Sequence, residues 1–367
     1  MRDFSYRNPG LDLVRNLAIF LVIVQHIAFL GGLANDGMGM AHKLQARFLE
    51  ALSQSCVDLF GLLSGYLCVA ASGWKWRKLG KLYLQVWTTG LFVLGGCALV
   101  GLAFPSAFHG CLPVREDWLT AAFPLLRDEY WYFTGYLFVF LFAPTVNRLL
   151  FSEGREWAGL AVAALLFCVV CGMTALPGGV TRLPLADGYS AAWLVCLYVF
   201  GAVLRRFENR LSSVRTATFF VLAAAGVAAT VAQRIAMAAV PALKSFFSDV
   251  WTLSSYTSPT VTLTSMSLLL GCARLKTSSF GGRFLRLNAA LASCAFGIYL
   301  FHVQPFFFRN VFKGHFAFID RAPDGLFALA VLGTACALYL LFAGIEVARR
   351  YLVSRVGVFF GQIRGKR

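Results

Sequence analysis

Apolar residues run along this chain in stretches of about twenty, separated by short polar segments rich in Lys and Arg. Such stretches lie at about 11–31, 51–72, 82–104, 130–150, 157–175, 190–205, 216–238, 257–273, 291–312 and 325–347. A hydrocarbon core about 30 Å thick takes roughly 20 helical residues to cross, so the pattern predicts ten transmembrane helices. The sixth and eighth are the shortest, and the seventh is open to continuing as an amphipathic stretch past Arg234. The expected fold class is all-α: a polytopic membrane helix bundle, a single domain over residues 1–367, with no linker and no internal repeat.

Basic residues orient the bundle. Placing the N-terminus inside collects most of the 33 Lys and Arg in cytoplasmic segments. These hold Arg2, Arg7 and Arg15; Lys75, Arg77, Lys78 and Lys81; Arg148 and Arg155; Arg205, Arg206, Arg210 and Arg215; Arg274, Lys276, Arg283 and Arg286; and six more after residue 348. That bias predicts N-in and C-in ends, consistent with an even number of spans. Composition agrees: 59% hydrophobic and only 14% charged residues exclude an ordinary soluble domain. The net charge of +16 raises nucleic acid as a partner, but no soluble segment is long enough to carry a binding face. The charge reads as topology, and the expected partner is the bilayer. The first run is too long for a cleaved leader and has no small-residue cleavage pattern after it. Nine of ten cysteines fall within apolar runs, Cys168 and Cys171 among them, and Cys111 lies in a loop. The expectation is small hydrophobic packing, with no disulfide framework and no metal.

Polar residues inside the runs carry the candidate chemistry, because each charge at membrane depth costs about 2.5 to 3.5 kcal/mol on insertion scales. The first run holds Asp12, Arg15 and His26. From Arg15 to His26 a helix climbs about 16 Å and turns about 1100°, within about 20° of three full turns. Both side chains therefore leave one face about half a bilayer apart, which suggests a tunnel with a cation at its inner end and a proton-transfer group further out. In the second run, Asp58 falls at a depth similar to His26. Two readings stand: a carboxylate that orients the imidazole of a general base, or a group snorkelling to the surface. Gly61, Ser64 and Gly65 read as a close helix contact.

Three further groups have both a functional and an ordinary reading. The segment Trp74 to Lys81, with Lys75, Arg77, Lys78 and Lys81, suits a phosphorylated nucleotide-bearing ligand, and equally an interfacial loop. The mouth of the fourth run, with Glu129, Trp131, Tyr132 and Tyr136, suits a sugar platform or an aromatic belt. His302 in the ninth run lines the same tunnel or is structural. The outer segment 105–129 is polar enough to touch a hydrophilic ligand or to act as a solvated connector.

These residues carry a family resemblance. Arg15 and His26, with ten residues between them in a first helix opening Gly10-Leu11-Asp12-Leu13-Val14-Arg15, resemble the acyltransferase-3 family of integral membrane acyltransferases. Val57-Asp58-Leu59-Phe60 and Leu63-Ser64-Gly65-Tyr66-Leu67 are similar to its second helix. Arg77, Lys78 and Lys81 stand where that family has an Arg-rich cytoplasmic loop, with Lys replacing some of the Arg. Trp131-Tyr132-Phe133 to Pro144 and Asn147 resembles its fourth span, and Gly297 to His302 a late span. The resemblance implies transfer of an acetyl or other short acyl group from acetyl-CoA or another acyl-CoA. The acceptor would be a hydroxyl of an envelope polysaccharide or lipid-linked saccharide, at the bacterial plasma membrane. On that reading His26 is the base and Asp58 orients it. Arg15, Arg77, Lys78 and Lys81 hold donor phosphates, and Glu129, Trp131, Tyr132 and Tyr136 meet the acceptor. The competing expectation is a polysaccharide exporter whose polar face lines a permeation path without chemistry.

Overall fold

The structure, a computed structural model, describes residues 7–33, 38–175, 185–240, 242–243, 253–275 and 280–364. Among the cytoplasmic cations of the topology argument, Arg2, Lys276, Lys366 and Arg367 lie outside the described residues. The described residues form helices and connecting turns. Seven helices are long and apolar enough to cross a membrane: α1 (Pro9–Leu30), α4 (Trp76–Ala103), α6 (Trp131–Leu150), α7 (Glu156–Ala175), α9 (Thr216–Ala239), α11 (Gly282–His302) and, after the short α12 (Pro305–Phe307), α13, which qualifies over Phe327–Arg355. The protein is a multi-pass membrane helix bundle. The other three expected spans are shorter helices, α3 (Ser55–Cys68), α8 (Ala191–Phe207) and α10 (Pro259–Ala273). They sit deep in the bundle: Leu59, Leu62, Trp193, Leu197 and Leu269 are fully buried. The long helices instead expose Leu99, Leu165, Val221 and Leu329 on their outer faces, as lipid-facing helices do.

Two stretches differ from expectation. The polar stretch between the first and second runs forms an amphipathic helix, α2 (Met40–Ser53). Its polar His42, Lys43, Gln45, Arg47 and Glu50 keep its hydropathy below that of a span, yet Glu50 is buried in an ion pair with Arg234 of α9. The basic segment at 74–81 is also not a loop. From Trp76 onward it is the start of α4, so the helix outruns its apolar stretch by about one and a half turns. In the outer segment 105–129 a short helix, α5 (Arg115–Ala122), is tied down by an Arg309–Asp117 ion pair of 2.5 Å.

The bundle is organised around α1, which packs against α3, α10, α11 and α13. Pro9 opens it, and the Asn8 side chain accepts from the Gly10 backbone N–H at 2.8 Å, a cap that satisfies one of the orphan donors. Asn16 then donates to the Asn288 carbonyl and side chain, and Tyr339 donates to Asn16, stitching α1 to α11 and α13. The helix closes in a π turn over His26–Leu30, a wider turn that leaves Arg15 through Gln25 on ordinary α-helical spacing. Between α3 and α8 two glycines let backbones touch: a Cβ on Gly65 would overlap the Tyr198 carbonyl, and one on Gly201 the Leu62 carbonyl.

Candidate active site

A cavity of about 730 Å³ runs through the bundle between α1, α3, α4, α6 and α11. That volume is in the range of sites for small organic ligands. Its walls are mostly apolar. Arg15 and Lys78 line it toward the basic ends of α1 and α4; His26, Glu129 and Trp131 line it toward the other. Arg15 and His26 therefore share one cavity, as the face arithmetic on α1 requires.

At the basic end, Arg15 is held by Asp12, which is almost fully buried. Asp12 accepts from Arg15 Nη1 at 2.6 Å and from Arg7 Nε and Nη2 at 2.5 and 2.9 Å. One carboxylate thus faces two guanidinium groups, leaving net positive charge at this mouth. Arg15 Nε and Nη2 have no protein partner among the described residues and are available to an anion. Of the three cations expected beside Arg15, only Lys78 lines the cavity. Lys78 and Leu82 lie one above the other at i and i+4 on the inner face of α4, while Arg77 and Lys81 share the neighbouring stripe and point to solvent.

At the far end, His26 is half-buried, and its Nδ1 is enclosed without a hydrogen-bond partner. Nε2 is the ring nitrogen open to the cavity. Glu129, Trp131, Tyr132 and Tyr136 all line the same space, three of them projecting from the first turns of α6. Trp131 stacks at a tilt against Tyr189 with centroids 5.0 Å apart, and Tyr132 meets Phe60 and Tyr299 at 5.9 and 6.1 Å. Glu129 lies outside the spans. Partial burial raises its carboxyl above the ordinary range, against the opposing pull of Arg309 and Arg127.

Asp58 does not take the expected place. It makes no hydrogen bond to His26, and it does not line the cavity. Its side chain is fully buried in the α3–α8 contact, where Oδ1 accepts from the Trp193 indole N–H at 3.0 Å. The snorkelling alternative fails as well, since no part of the residue reaches a surface. Rotation of α3 turns this carboxyl toward α8 and away from His26. Ser190 caps α8 by accepting from the Trp193 backbone N–H, which fixes the indole where it meets Asp58.

Residues that spacing alone did not bring out also face the cavity: Gln25, Tyr189 and Ser293. Gln25, adjacent to His26 in an apolar run, was the one most open to detection. Its Oε1 accepts from Tyr256 at 2.9 Å and Cys56 at 3.0 Å, locking the wall beside the imidazole. His302 does not line the cavity but packs against His26 from behind, with centroids 5.2 Å apart. Among the described residues no group of three or more His, Cys, Asp or Glu is placed to hold a metal. All ten cysteines are free; Cys171 is buried, whereas Cys168 faces outward.

An imidazole nitrogen open to an enclosed apolar space can take a proton from a hydroxyl placed there, and a cationic mouth can hold an anionic reactant. Comparison with known proteins agrees with acyl-transfer chemistry. Residues 8–343, nearly the whole chain, match the family model Acyl_transf_3, described as an acyltransferase domain. No curated protein and no solved structure gives a significant match. The chain belongs to the acyltransferase-3 family of integral membrane acyltransferases.

Proposed function

We propose that the protein moves an acetyl or other short acyl group from acyl-CoA to a hydroxyl of an envelope polysaccharide or lipid-linked saccharide, at a bacterial plasma membrane. The observation that carries this reading is the single cavity shared by Arg15 and His26. The positive-inside bias puts the Arg15 mouth in the cytoplasm, where acyl-CoA is made, and the His26 end toward the outside. Arg15, through its free Nε and Nη2, and Lys78 hold phosphate oxygens of the donor. Arg77 and Lys81, exposed beside the mouth, attract the donor without lining its path.

The acceptor enters past Glu129, Trp131, Tyr132 and Tyr136, whose rings offer flat faces to a pyranose and whose carboxylate accepts from sugar hydroxyls. A sugar hydroxyl is a poor nucleophile at neutral pH. His26 Nε2 removes its proton as the oxygen attacks the thioester carbonyl, and a tetrahedral adduct forms. Collapse of the adduct breaks the carbon–sulfur bond, and the leaving thiolate takes the proton back from His26. The products are an acyl ester and free CoA, and the imidazole is neutral again.

Envelope glycans from cells expressing the wild-type chain or His26→Ala, compared by mass spectrometry, test the proposal. The expected result is an ester-linked acyl group that depends on the wild-type chain and disappears with His26→Ala. A correctly inserted His26→Ala protein that leaves glycan acylation unchanged would overturn it and favour export without chemistry.

A further inference from the structure

A base that shuttles a proton through Nε2 has to present a lone pair there, so its proton must sit on Nδ1, held by an acceptor. Asp58 is not that acceptor, because it is committed to Trp193 on the far side of α3. Among the described residues no carboxylate hydrogen-bonds to His26. The His302 ring instead lies 5.2 Å from that of His26, centroid to centroid, and each ring keeps one buried nitrogen without a hydrogen-bond partner, Nδ1 of His26 and Nε2 of His302.

His302 is fully buried, and its tautomer is set by its own helix. Nδ1 lies 2.8 Å from the Ile298 carbonyl oxygen, which can only accept, so Nδ1 carries the proton and Nε2 keeps its lone pair. A ring contact with near-parallel Phe342, a tilted contact with Phe312 and an edge contact with Tyr299 hold the imidazole in place. With centroids 5.2 Å apart and planes tilted by 51°, the two imidazoles are in ring contact without a hydrogen bond between them. Catalytic hydrogen bonds commonly tighten only when substrate is bound.

We propose that His302 is a positioning residue for His26: its Nε2 accepts from His26 Nδ1–H, fixing the tautomer that leaves His26 Nε2 free to take the acceptor's proton. The idea rests on the acyl-transfer reading for its functional consequence, but the ring contact stands apart from that reading. It places a neutral acceptor where many hydrolytic triads use a carboxylate. The orientation is supplied without a second charge beside the imidazolium that forms during transfer, and the proton stays on His26 throughout.

The chain has only five histidines, so the tautomer can be read directly. Protein labelled with 15N-histidine in lipid, with the His26 signals assigned by difference from His26→Gln, should show His26 protonated at Nδ1. In His302→Ala the tautomers should mix, and turnover with radiolabelled acetyl-CoA and native membrane acceptor should fall about 100-fold with donor KM unchanged. His302→Gln, whose terminal amide reaches about as far as a histidine Nε2 and can offer its carbonyl oxygen, should recover at least a tenth of wild-type turnover. A wild-type His26 protonated at Nε2 overturns the proposal, and so does a His302→Gln protein as impaired as His302→Ala. If His302→Ala fails to fold, the wild-type spectrum and His302→Gln still decide. Should His26→Gln retain transfer while the wild-type spectrum shows the Nδ1–H tautomer, the catalytic reading fails and the histidine contact survives.

Discussion

Replacing Trp193 by Phe and Asp58 by Asn separates two roles for the buried carboxyl of α3. Trp193 and Asp58 are both fully buried, and among the described residues the indole N–H is the one hydrogen-bond donor that the carboxyl has. Trp193→Phe leaves that group without a partner, which costs about 1 to 3 kcal/mol. The smaller ring also leaves a void worth about another 1 kcal/mol. Asp58→Asn keeps an oxygen for the indole and nearly the same volume, so it should change stability by less than about 1 kcal/mol. Thermal unfolding in detergent, followed by loss of the monodisperse peak, should thus rank wild type and Asp58→Asn together and Trp193→Phe well below them. Acyl transfer by Asp58→Asn should stay within about threefold of wild type, because the carboxyl touches neither His26 nor the cavity. A residue that orients a general base is worth about 100-fold or more. An Asp58→Asn protein that melts like wild type yet loses that much turnover would refute the structural role.

Other predictions concern the ends of the cavity and the helix contact beneath it. Arg15→Ala should raise the KM for acyl donor about tenfold or more and leave the acceptor KM within about twofold; equal effects would count against donor binding at the basic mouth. Lys78→Ala should weaken donor binding more than Lys81→Ala, since only Lys78 lines the cavity. Because burial raises the Glu129 carboxyl, acceptor binding that needs the carboxylate should be full well above that raised midpoint. It should fail as pH falls through the midpoint, which lies above the ordinary glutamate value, and acceptor KM in Glu129→Gln should lose this dependence. Gly65→Val should prevent α3 from seating on α8 and abolish recovery of folded protein, whereas Gly80→Val, with open space around it, should fold normally.

The sequence made the helix bundle legible because lipid demands long apolar runs, and it made Arg15 and His26 legible because eleven residues return a helix to the same face. It also placed Glu129, Trp131, Tyr132 and Tyr136 at one mouth, where the cavity meets them all. Rotation of one helix against another was not legible. Spacing along the chain suggested that Asp58 reaches His26, but the approach of α3 to α8, which Gly65 and Gly201 permit, turns it to Trp193. For the same reason His302 looked ambiguous: its distance from His26 depends on how α11 packs on α1, through contacts such as Asn16 to Asn288. The helix α2 stayed hidden because its polar face meets Arg234 inside the protein, a partner that hydropathy does not register. Lys78 was separable from Arg77 and Lys81 only once α4 was seen to start at Trp76.

The most direct test of the central claim uses sealed membrane vesicles with [1-14C]acetyl-CoA confined to the cytoplasmic face. The account predicts label in the ester-linked glycan fraction on the opposite face, free CoA retained on the donor side, and loss of both in a folded His26→Gln protein. Undiminished transfer by folded His26→Gln, or acceptor glycan crossing the membrane without label, would contradict it.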